Sequence, residues 1–336
     1  MNFTFFSEGP EHTRFFMPLL EKLKLDKNNL TLITLNNKDP LIKSNLFNNV
    51  FTPKNNFEKI KILKNIKSEF LITTTPGVGY SYFPKSKIWP KSERPKYVYL
   101  FHSLVSPNEM YSENSFKNFD IIYAPSEKIK NQLSYLVSKD TKIFTSGYLL
   151  FDKIQNEAID RQVQKNILIA PTWGDSGLIN DVAILEKIRN LLSQQGYTIH
   201  LRPHPMSIKN IKLIESLQEF ELDLTPEVSN FHLYDFLITD YSGIALEYYF
   251  YTRRPSLFIE TKKKRKRKLS SSEVNLVLIE EEMQNIIGEK FNIENSLEQT
   301  LSMLSNHNVN NEFIEDFHNK EGAAKFISNH LQKINK

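Results

Sequence analysis

Short apolar segments alternate with helical patterns from one end of this 336-residue chain to the other. Each apolar segment has the length of a buried strand, and helical segments such as 10–24, 181–195 and 208–219 lie between them. Alternation of this kind predicts an α/β fold built on parallel sheets. The predicted strands are 3–6, 30–35, 70–74, 97–101, 121–124 and 143–145 in the first half, and 167–170, 198–202, 236–239 and 256–259 in the second.

A polar segment at 155–165, QNEAIDRQVQK, interrupts this alternation near the middle of the chain. The chain is long enough for two domains, each with its own core. We therefore expect two Rossmann-like domains, 1–155 and 166–321, whose parallel sheets face a central cleft. A C-terminal helix in 322–336 could pack back on the first domain. In open parallel sheets, ligands bind beyond the carboxyl ends of the strands.

The composition narrows the class of protein. Hydrophobic residues make up 40% of the chain and charged residues 24%, as is typical of globular proteins. No apolar run approaches the roughly 18 residues of a membrane-spanning helix, and the first residues lack the basic region of a signal peptide. A cytoplasmic location is therefore expected. The absence of cysteine excludes disulfides, thiolate metal sites and a cysteine nucleophile.

The formal net charge of +4 is too small to indicate a nucleic-acid partner, but the charge is unevenly distributed. Seven consecutive cations run from Lys262 to Lys268. One interpretation is a solvated loop. The other is attraction to an anionic surface, which predicts peripheral attachment to the inner face of the cell membrane.

The segment 236–247, FLITDYSGIALE, joins a predicted strand directly to a predicted helix. Backbone N–H groups at the start of a helix are unpaired, and the helix dipole adds partial positive charge there. The amides of Ser242, Gly243 and Ile244 are therefore predicted to bind a phosphate. Asp240 could hydrogen-bond the turn or orient a histidine, and Glu247 could reach a ligand hydroxyl.

A second strand, 198–202, ends in Arg202-Pro203-His204-Pro205. The prolines exclude an ordinary helix and hold two potential cations, Arg202 and His204, at the strand end. Together with the turn at Ser242, this strand end predicts a diphosphate site. Thr172 follows the strand 167–170 and offers a hydroxyl to a ligand.

Polar residues also follow the first strand of the chain. Glu8, Glu11 and His12 could line an acceptor pocket or supply a base. Pro10 suits the first turn of a helix, so plain helix capping is the alternative interpretation of this segment.

His102 is the first polar residue after the predicted strand 97–101. A neutral imidazole can accept a proton near pH 7, so His102 is a candidate base that faces the expected cleft. The alternative is a hydrogen-bonded structural histidine.

Six segments occur in the order found in a known family. They are YLFHS (99–103), DIIYAPS (120–126), TSGYLLFD (145–152), ILIAPTW (167–173), LRPHP (201–205) and LITDYSGIALEY (237–248). Through them, the stretch 97–259 resembles the CDP-glycerol glycerophosphotransferases of teichoic-acid and capsule synthesis, which have a GT-B fold. Ser103 stands where the family usually has a glycine, and GYLLFD replaces the family's GYPRND.

The resemblance implies a catalytic role for His102 and a donor-phosphate role for His204, with help from Arg202. Metal ions and other cofactors are not expected. Combined with the strand-end patterns, the predicted sites are catalytic His102 and His204, acceptor-binding Glu11 and His12, and nucleotide-binding Thr172, Arg202, His204, Asp240, Ser242, Gly243 and Glu247.

The expected activity is transfer of a glycerol-phosphate or related polyol-phosphate unit from a CDP-linked donor to a hydroxyl of a cell-surface glycan or polymer. Two alternatives remain open. One is a GT-B glycosyltransferase that uses a nucleotide sugar, or a sugar-nucleotide epimerase. The other is a non-catalytic polymer-binding assembly protein.

Overall fold

Two units, each with its own parallel β-sheet, make up the chain. The structure is a computed structural model that describes residues 1–77, 93–153, 164–224, 228–261, 273, 276–291 and 311–334. Unit 1 consists of Met1–His102, Tyr111–Lys153 and Ile314–Lys336, and unit 2 consists of Ser103–Met110 and Ile154–Phe313. The predicted α/β class and the two parallel-sheet domains are confirmed.

The division between the units departs from linear boundaries in two places. Ser103–Met110 falls within the predicted first domain, 1–155, but groups with unit 2. Residues 314–321 fall within the predicted second domain, 166–321, but group with unit 1. A boundary drawn at a polar segment misses both, because a sequence pattern does not report which sheet a short segment packs against.

The helices and strands are numbered along the chain. The described α-helices are α1 (Pro10–Leu25), α2 (Asn56–Asn65), α3 (Pro107–Met110), α4 (Glu127–Leu133), α5 (Val182–Ser193), α6 (Pro205–Ile208), α7 (Ile211–Ser216), α8 (Ile244–Thr252), α9 (Ile279–Ile286), α10 (Asn311–Glu315) and α11 (Ala323–Lys333). None of these helices has both the length and the apolar composition needed to cross a bilayer.

The described β-strands of unit 1 are β1 (Asn2–Ser7), β2 (Asn29–Thr34), β3 (Asn49–Phe51), β4 (Phe70–Thr73), β5 (Lys96–Leu100), β6 (Ile121–Ala124) and β7 (Lys142–Thr145). Those of unit 2 are β8 (Asn166–Ile169), β9 (Thr198–Leu201), β10 (Glu221–Leu222), β11 (Phe236–Thr239), β12 (Ser256–Phe258) and β13 (Gly288–Lys290).

The sheet of unit 1 has the strand order β3-β2-β1-β4-β5-β6-β7. The order reverses beside β1, where Phe3 lies opposite Leu30 of β2 on one side and opposite Phe70 of β4 on the other. β1 is buried on both faces, which explains its nearly continuous apolar sequence. A reversal of strand order opens a crevice beyond the carboxyl ends of the two strands, here β1 and β4.

The sheet of unit 2 has the strand order β10-β9-β8-β11-β12-β13 and reverses between β8 and β11. Ile167 of β8 lies opposite Ile199 of β9 and opposite Phe236 of β11. The segments that follow β8 and β11 therefore leave the sheet next to each other. These are the segments that contain Thr172 and Asp240.

Three strands escaped prediction, and all three lie at sheet edges. β3, β10 and β13 contain three, two and three residues. Strands this short carry too few side chains for an alternating pattern to appear. The predicted helix at 208–219 is also shorter than expected: α7 begins only after Asn210, whose side chain accepts a hydrogen bond from the Leu213 amide at 3.3 Å.

The C-terminal helix α11 packs within unit 1. Ile327 and Leu331 lie in the same buried cluster as Leu19 and Leu23 of α1. The start of α11 is held by Asp152, whose two carboxylate oxygens accept hydrogen bonds from consecutive backbone amides at 2.7 Å each. A carboxylate at a helix amino end compensates the helix dipole.

His330 on α11 connects this helix to the sheet. Its Nδ1 lies 2.8 Å from the Tyr123 hydroxyl of β6, and its ring lies 4.1 Å from the Phe144 ring. Burial lowers the pKa of His330, and the positive charges of Lys333 and Lys142 lower it further. The neutral ring is therefore the form that the folded state prefers.

The depressed pKa of His330 makes the stability of unit 1 sensitive to acid. The stabilising contribution is present above the unfolded-state pKa near 6.5 and is lost as pH falls through the lower folded-state pKa. We expect the melting temperature to fall between about pH 7.5 and pH 5, and to fall less in His330→Phe, which cannot be protonated. His232→Phe, at an exposed position of unit 2, is the matched control. Equal pH dependence in the parent and His330→Phe would contradict this assignment.

Candidate functional site

The strand reversal of unit 1 brings four polar side chains together. His12 on α1 places Nδ1 2.7 Å from the Thr74 hydroxyl, which follows β4. Thr75 donates a hydrogen bond to Glu8 at 3.1 Å, and the other ring nitrogen of His12 lies 3.8 Å from the same Glu8 oxygen. Residues after β1 and β4 therefore share one polar network at the sheet edge.

His102 lies beside this network, after β5. Its ring centroid is 5.8 Å from the ring centroid of His12 and 5.0 Å from that of Phe15. The Tyr99 hydroxyl lies 3.4 Å from His102 Nδ1, and the Tyr148 hydroxyl donates to the His102 carbonyl at 3.0 Å. The structure thus brings together two predicted site residues, His12 and His102. Glu11, the third one in this unit, is exposed.

Tyr99, Tyr148 and Lys59 were not predicted from the sequence. Complete burial raises the pKa of Tyr99 well above its usual value, so its hydroxyl keeps the proton that it can share with His102. Lys59 is buried on α2, and desolvation lowers its pKa while the Glu8 carboxylate opposes that effect. A buried lysine in a helix that also carries exposed lysines has no local sequence pattern that would distinguish it.

Asp240 organises the corresponding region of unit 2. Its side chain is fully buried, and its two oxygens accept hydrogen bonds from the backbone amides of Thr172 at 2.7 Å and Leu178 at 2.9 Å. The loop after β8 is therefore tied to the end of β11. The structure supports a positioning role for Asp240, and direct contact with a nucleotide stays a prediction.

The turn before α8 differs in part from the predicted anion site. The Ser242 amide donates to the Asp240 carbonyl at 2.9 Å, so it is not unpaired as expected. The Ile244 amide lies 3.5 Å from the Ser242 hydroxyl oxygen, a long contact. Phosphate binding by this turn would therefore rely on the Gly243 and Ile244 amides and the Ser242 hydroxyl.

The close approach of Leu104 requires a glycine at position 243, and the sequence did not reveal this contact. A Cβ atom at this position would lie 2.9 Å from the Leu104 Cβ and 3.0 Å from the Leu104 carbonyl oxygen. Leu104 belongs to Ser103–Met110, which we call the strap segment. The strap segment thus packs directly against the start of α8 in unit 2.

Arg202 is engaged in a buried ion pair. Its Nε and Nη2 atoms donate to one oxygen of Asp223 at 3.1 and 2.5 Å, and the Tyr234 hydroxyl donates to the same oxygen at 2.8 Å. The guanidinium also lies 5.0 Å from the Phe231 ring centroid. These contacts hold the end of β9 to its neighbours, and contact between Arg202 and a phosphate stays a prediction.

His204 occupies a different environment. It is half-buried, its Nδ1 accepts a hydrogen bond from the Met206 amide at 3.1 Å, and its ring stacks on Trp173 with centroids 5.8 Å apart. An accepting Nδ1 assigns the proton of the neutral ring to Nε2. His204 can therefore present an N–H donor to an anion. Thr172 and Glu247 are buried in the same unit.

Comparison with solved structures defines the class of fold. The chain aligns over 99% of its length with 100% of a UDP-GlcNAc 2-epimerase from Methanocaldococcus jannaschii, at 14% identity and a TM-score of 0.65. It aligns with 96% of the UDP complex of MnaA from S. aureus (15%, TM-score 0.60) and with 88% of the wall teichoic acid polymerase TagF soaked with CDPG (15%, TM-score 0.58), again over 99% of this chain. These similarities establish the GT-B fold.

A family profile matches part of the chain. Residues 104–268 match the profile of the CDP-glycerol:poly(glycerophosphate) glycerophosphotransferases. The predicted resemblance is confirmed, and the chain is a transferase similar to this family. Five of the six segments lie within the matched residues, and YLFHS (99–103) lies just before them. A comparison with curated proteins finds no match. The family match favours a CDP-glycerol-dependent transferase over the epimerase, glycosyltransferase and non-catalytic alternatives.

Gly243→Ala tests the close approach of the strap segment to α8. The added Cβ would press on the Leu104 backbone, so we expect a loss of about 1–3 kcal/mol in the free energy of unfolding, the usual range for overpacking. Denaturant unfolding measures this loss. Ser242→Ala, which removes an adjacent side-chain atom without adding any, is the control. A Gly243→Ala variant as stable as the parent would show that the Leu104 backbone moves freely.

Proposed function

We propose that this protein transfers a glycerol-phosphate or related polyol-phosphate unit from a CDP-linked donor to a hydroxyl of a cell-surface glycan or polymer. The observation that supports this most is the family match over residues 104–268, which includes both the Arg202-to-Pro205 strand end and the turn at Ser242.

Unit 2 is proposed to bind the donor. His204 would donate its Nε2–H to a donor phosphate, and the Ser242 hydroxyl with the Gly243 amide would bind the diphosphate. Thr172 and Glu247 are proposed to contact the nucleotide, and Asp240 would hold the Thr172 loop in place through its two backbone hydrogen bonds.

Unit 1 is proposed to handle the acceptor. His102 would accept the proton of the acceptor hydroxyl, while His12 and Glu11 would bind the acceptor. The contacts of His102 with Tyr99 and Phe15 would fix the orientation of its ring. Ring orientation matters because a general base must lie within hydrogen-bond distance of the proton that it removes.

The reaction breaks one bond to phosphorus and forms another. The acceptor oxygen attacks the phosphorus that carries the polyol, and its proton passes to His102. The bond between this phosphorus and the bridging oxygen breaks, and CMP leaves with the electron pair. Hydrogen-bond donors at the donor phosphates stabilise the charge that develops on the leaving group.

A panel of donors tests this function. The protein is incubated with CDP-glycerol, CDP-ribitol, UDP-GlcNAc and a teichoic-acid-type acceptor, and the nucleotide released is identified. Release of CMP together with transfer of polyol phosphate supports the proposal. Release of UDP with sugar transfer, epimerisation of the sugar, or nucleotide binding without turnover would each contradict it.

Two histidine variants separate the donor and acceptor roles. His204→Ala removes a donor to the phosphates and is expected to lower kcat/KM by at least ~100-fold and to weaken CDP binding. His102→Ala is expected to abolish transfer while leaving CDP affinity nearly unchanged, because it removes only the proton acceptor. Turnover and calorimetric titration with CDP measure both effects.

Two outcomes would contradict these assignments. A folded His102→Ala variant that still transfers would remove His102 from the mechanism. Weakened CDP binding in that variant would contradict the division of roles.

We also propose peripheral attachment to an anionic membrane through the cations from Lys262 to Lys268, which lie outside the described residues. Seven adjacent cations contribute roughly 1 kcal/mol each near an anionic surface, and salt screens this attraction. Replacing four of the seven by glutamine should weaken binding to phosphatidylglycerol vesicles without changing the melting temperature. Binding that is absent, or that is insensitive to both salt and the substitutions, would contradict attachment through this run.

A further inference from the structure

The strap segment is held to unit 2 by a buried carboxylate that has no role in the mechanism above. Ser106 donates its backbone N–H to Glu280 Oε1 at 2.9 Å and its hydroxyl to Glu280 Oε2 at 2.6 Å. The Ser106 hydroxyl oxygen in turn accepts a hydrogen bond from the Ile279 backbone amide at 2.9 Å. Ser106 is completely buried and Glu280 is 4% exposed.

A second contact reinforces this attachment. Asn108 donates to Glu273 at 3.1 Å, and both side chains are buried. The strap segment is therefore fastened at two points along its length, Ser106 and Asn108. At a third point, Leu104, its backbone closes on the start of α8.

Burying a carboxylate carries a large free-energy cost, because the charge loses its hydration. Burial raises the pKa of Glu280, and the nearby charge of Glu109 raises it further, while the hydrogen bonds from Ser106 oppose both effects. Well-packed apolar residues of similar volume often stabilise a fold as much or more. Unlike apolar contacts, hydrogen bonds are directional, so the two hydrogen bonds from Ser106 to the carboxylate determine where the strap segment lies.

The carboxylate holds the strap segment next to the start of α8. Leu104 is two residues from Ser106 along the strap segment and contacts Gly243, whose amide is a proposed donor-phosphate ligand. A shift of the strap segment would therefore change the space around that amide. A misplacement of about 1 Å in a preorganised site is enough to weaken binding or catalysis strongly.

We infer that Glu280 is a positioning residue of the donor site, which acts through Ser106 to hold the Leu104 backbone against the start of α8. This inference rests on the proposed function of the Ser242–Gly243 turn. Glu280 lies outside the stretch matched by the family profile, 104–268.

The test is a double-substitution cycle on the full chain. Glu280→Gln, Ser106→Ala and the double variant are titrated with CDP and, separately, with UDP by calorimetry, well below their melting temperatures. Because each substitution releases the strap segment from its position at the start of α8, we expect nucleotide affinity to be roughly tenfold weaker in each single variant. The double variant should be weakened by about the same factor as each single variant, because both substitutions remove the same hydrogen bond, the one from the Ser106 hydroxyl to Glu280 Oε2. Glu215→Gln, an exposed carboxylate on α7 of the same unit, should bind like the parent.

Each outcome is decisive. Single variants that fold and bind within about twofold of the parent would overturn the inference alone, even if they melt earlier, because a purely structural contact affects stability and not affinity. Losses that add in the double variant would also overturn it. If the parent binds UDP rather than CDP and the variants weaken that binding, the inference stands and the proposed donor is wrong. If the parent binds neither nucleotide, both are wrong.

Discussion

The reversal of strand order within each parallel sheet is the constraint on which the candidate sites depend. Connections on the two sides of the reversal leave toward opposite faces of the sheet, so a crevice remains beyond the strand ends. In unit 1 this edge carries Glu8 and His12 after β1, and Thr74 after β4. In unit 2 it carries Thr172 after β8 and Asp240 after β11.

Buried carboxylates hold segments that follow several strands of the two sheets. Asp240 holds two backbone amides, Asp223 holds Arg202, and Glu280 holds Ser106. A buried charge is costly unless its oxygens receive hydrogen bonds, and each of these carboxylates receives at least two. The groups proposed to act on ligands, such as the His204 imidazole, lie on the framework that these acids hold.

The fold alone does not select the reaction. This chain shares its architecture with enzymes described as UDP-GlcNAc 2-epimerases and with a teichoic acid polymerase, at about the same low identity. One fold supports many reactions because the reactive side chains lie on loops beyond a common scaffold. The choice of a phosphotransferase therefore rests on residues 104–268, where the chain matches the glycerophosphotransferase profile.

Local patterns in the sequence were sufficient to predict the parallel-sheet class, the long central strands and the residues that follow them. Apolar runs and turn residues report these features because both arise from neighbours in the chain. Only the tertiary structure decided which partners the polar side chains bind. It placed Arg202 in an ion pair with Asp223, 21 residues away, and tied Ser106 to Glu280, 174 residues away. Such partners are set by packing between distant segments, and no periodicity along the chain records them.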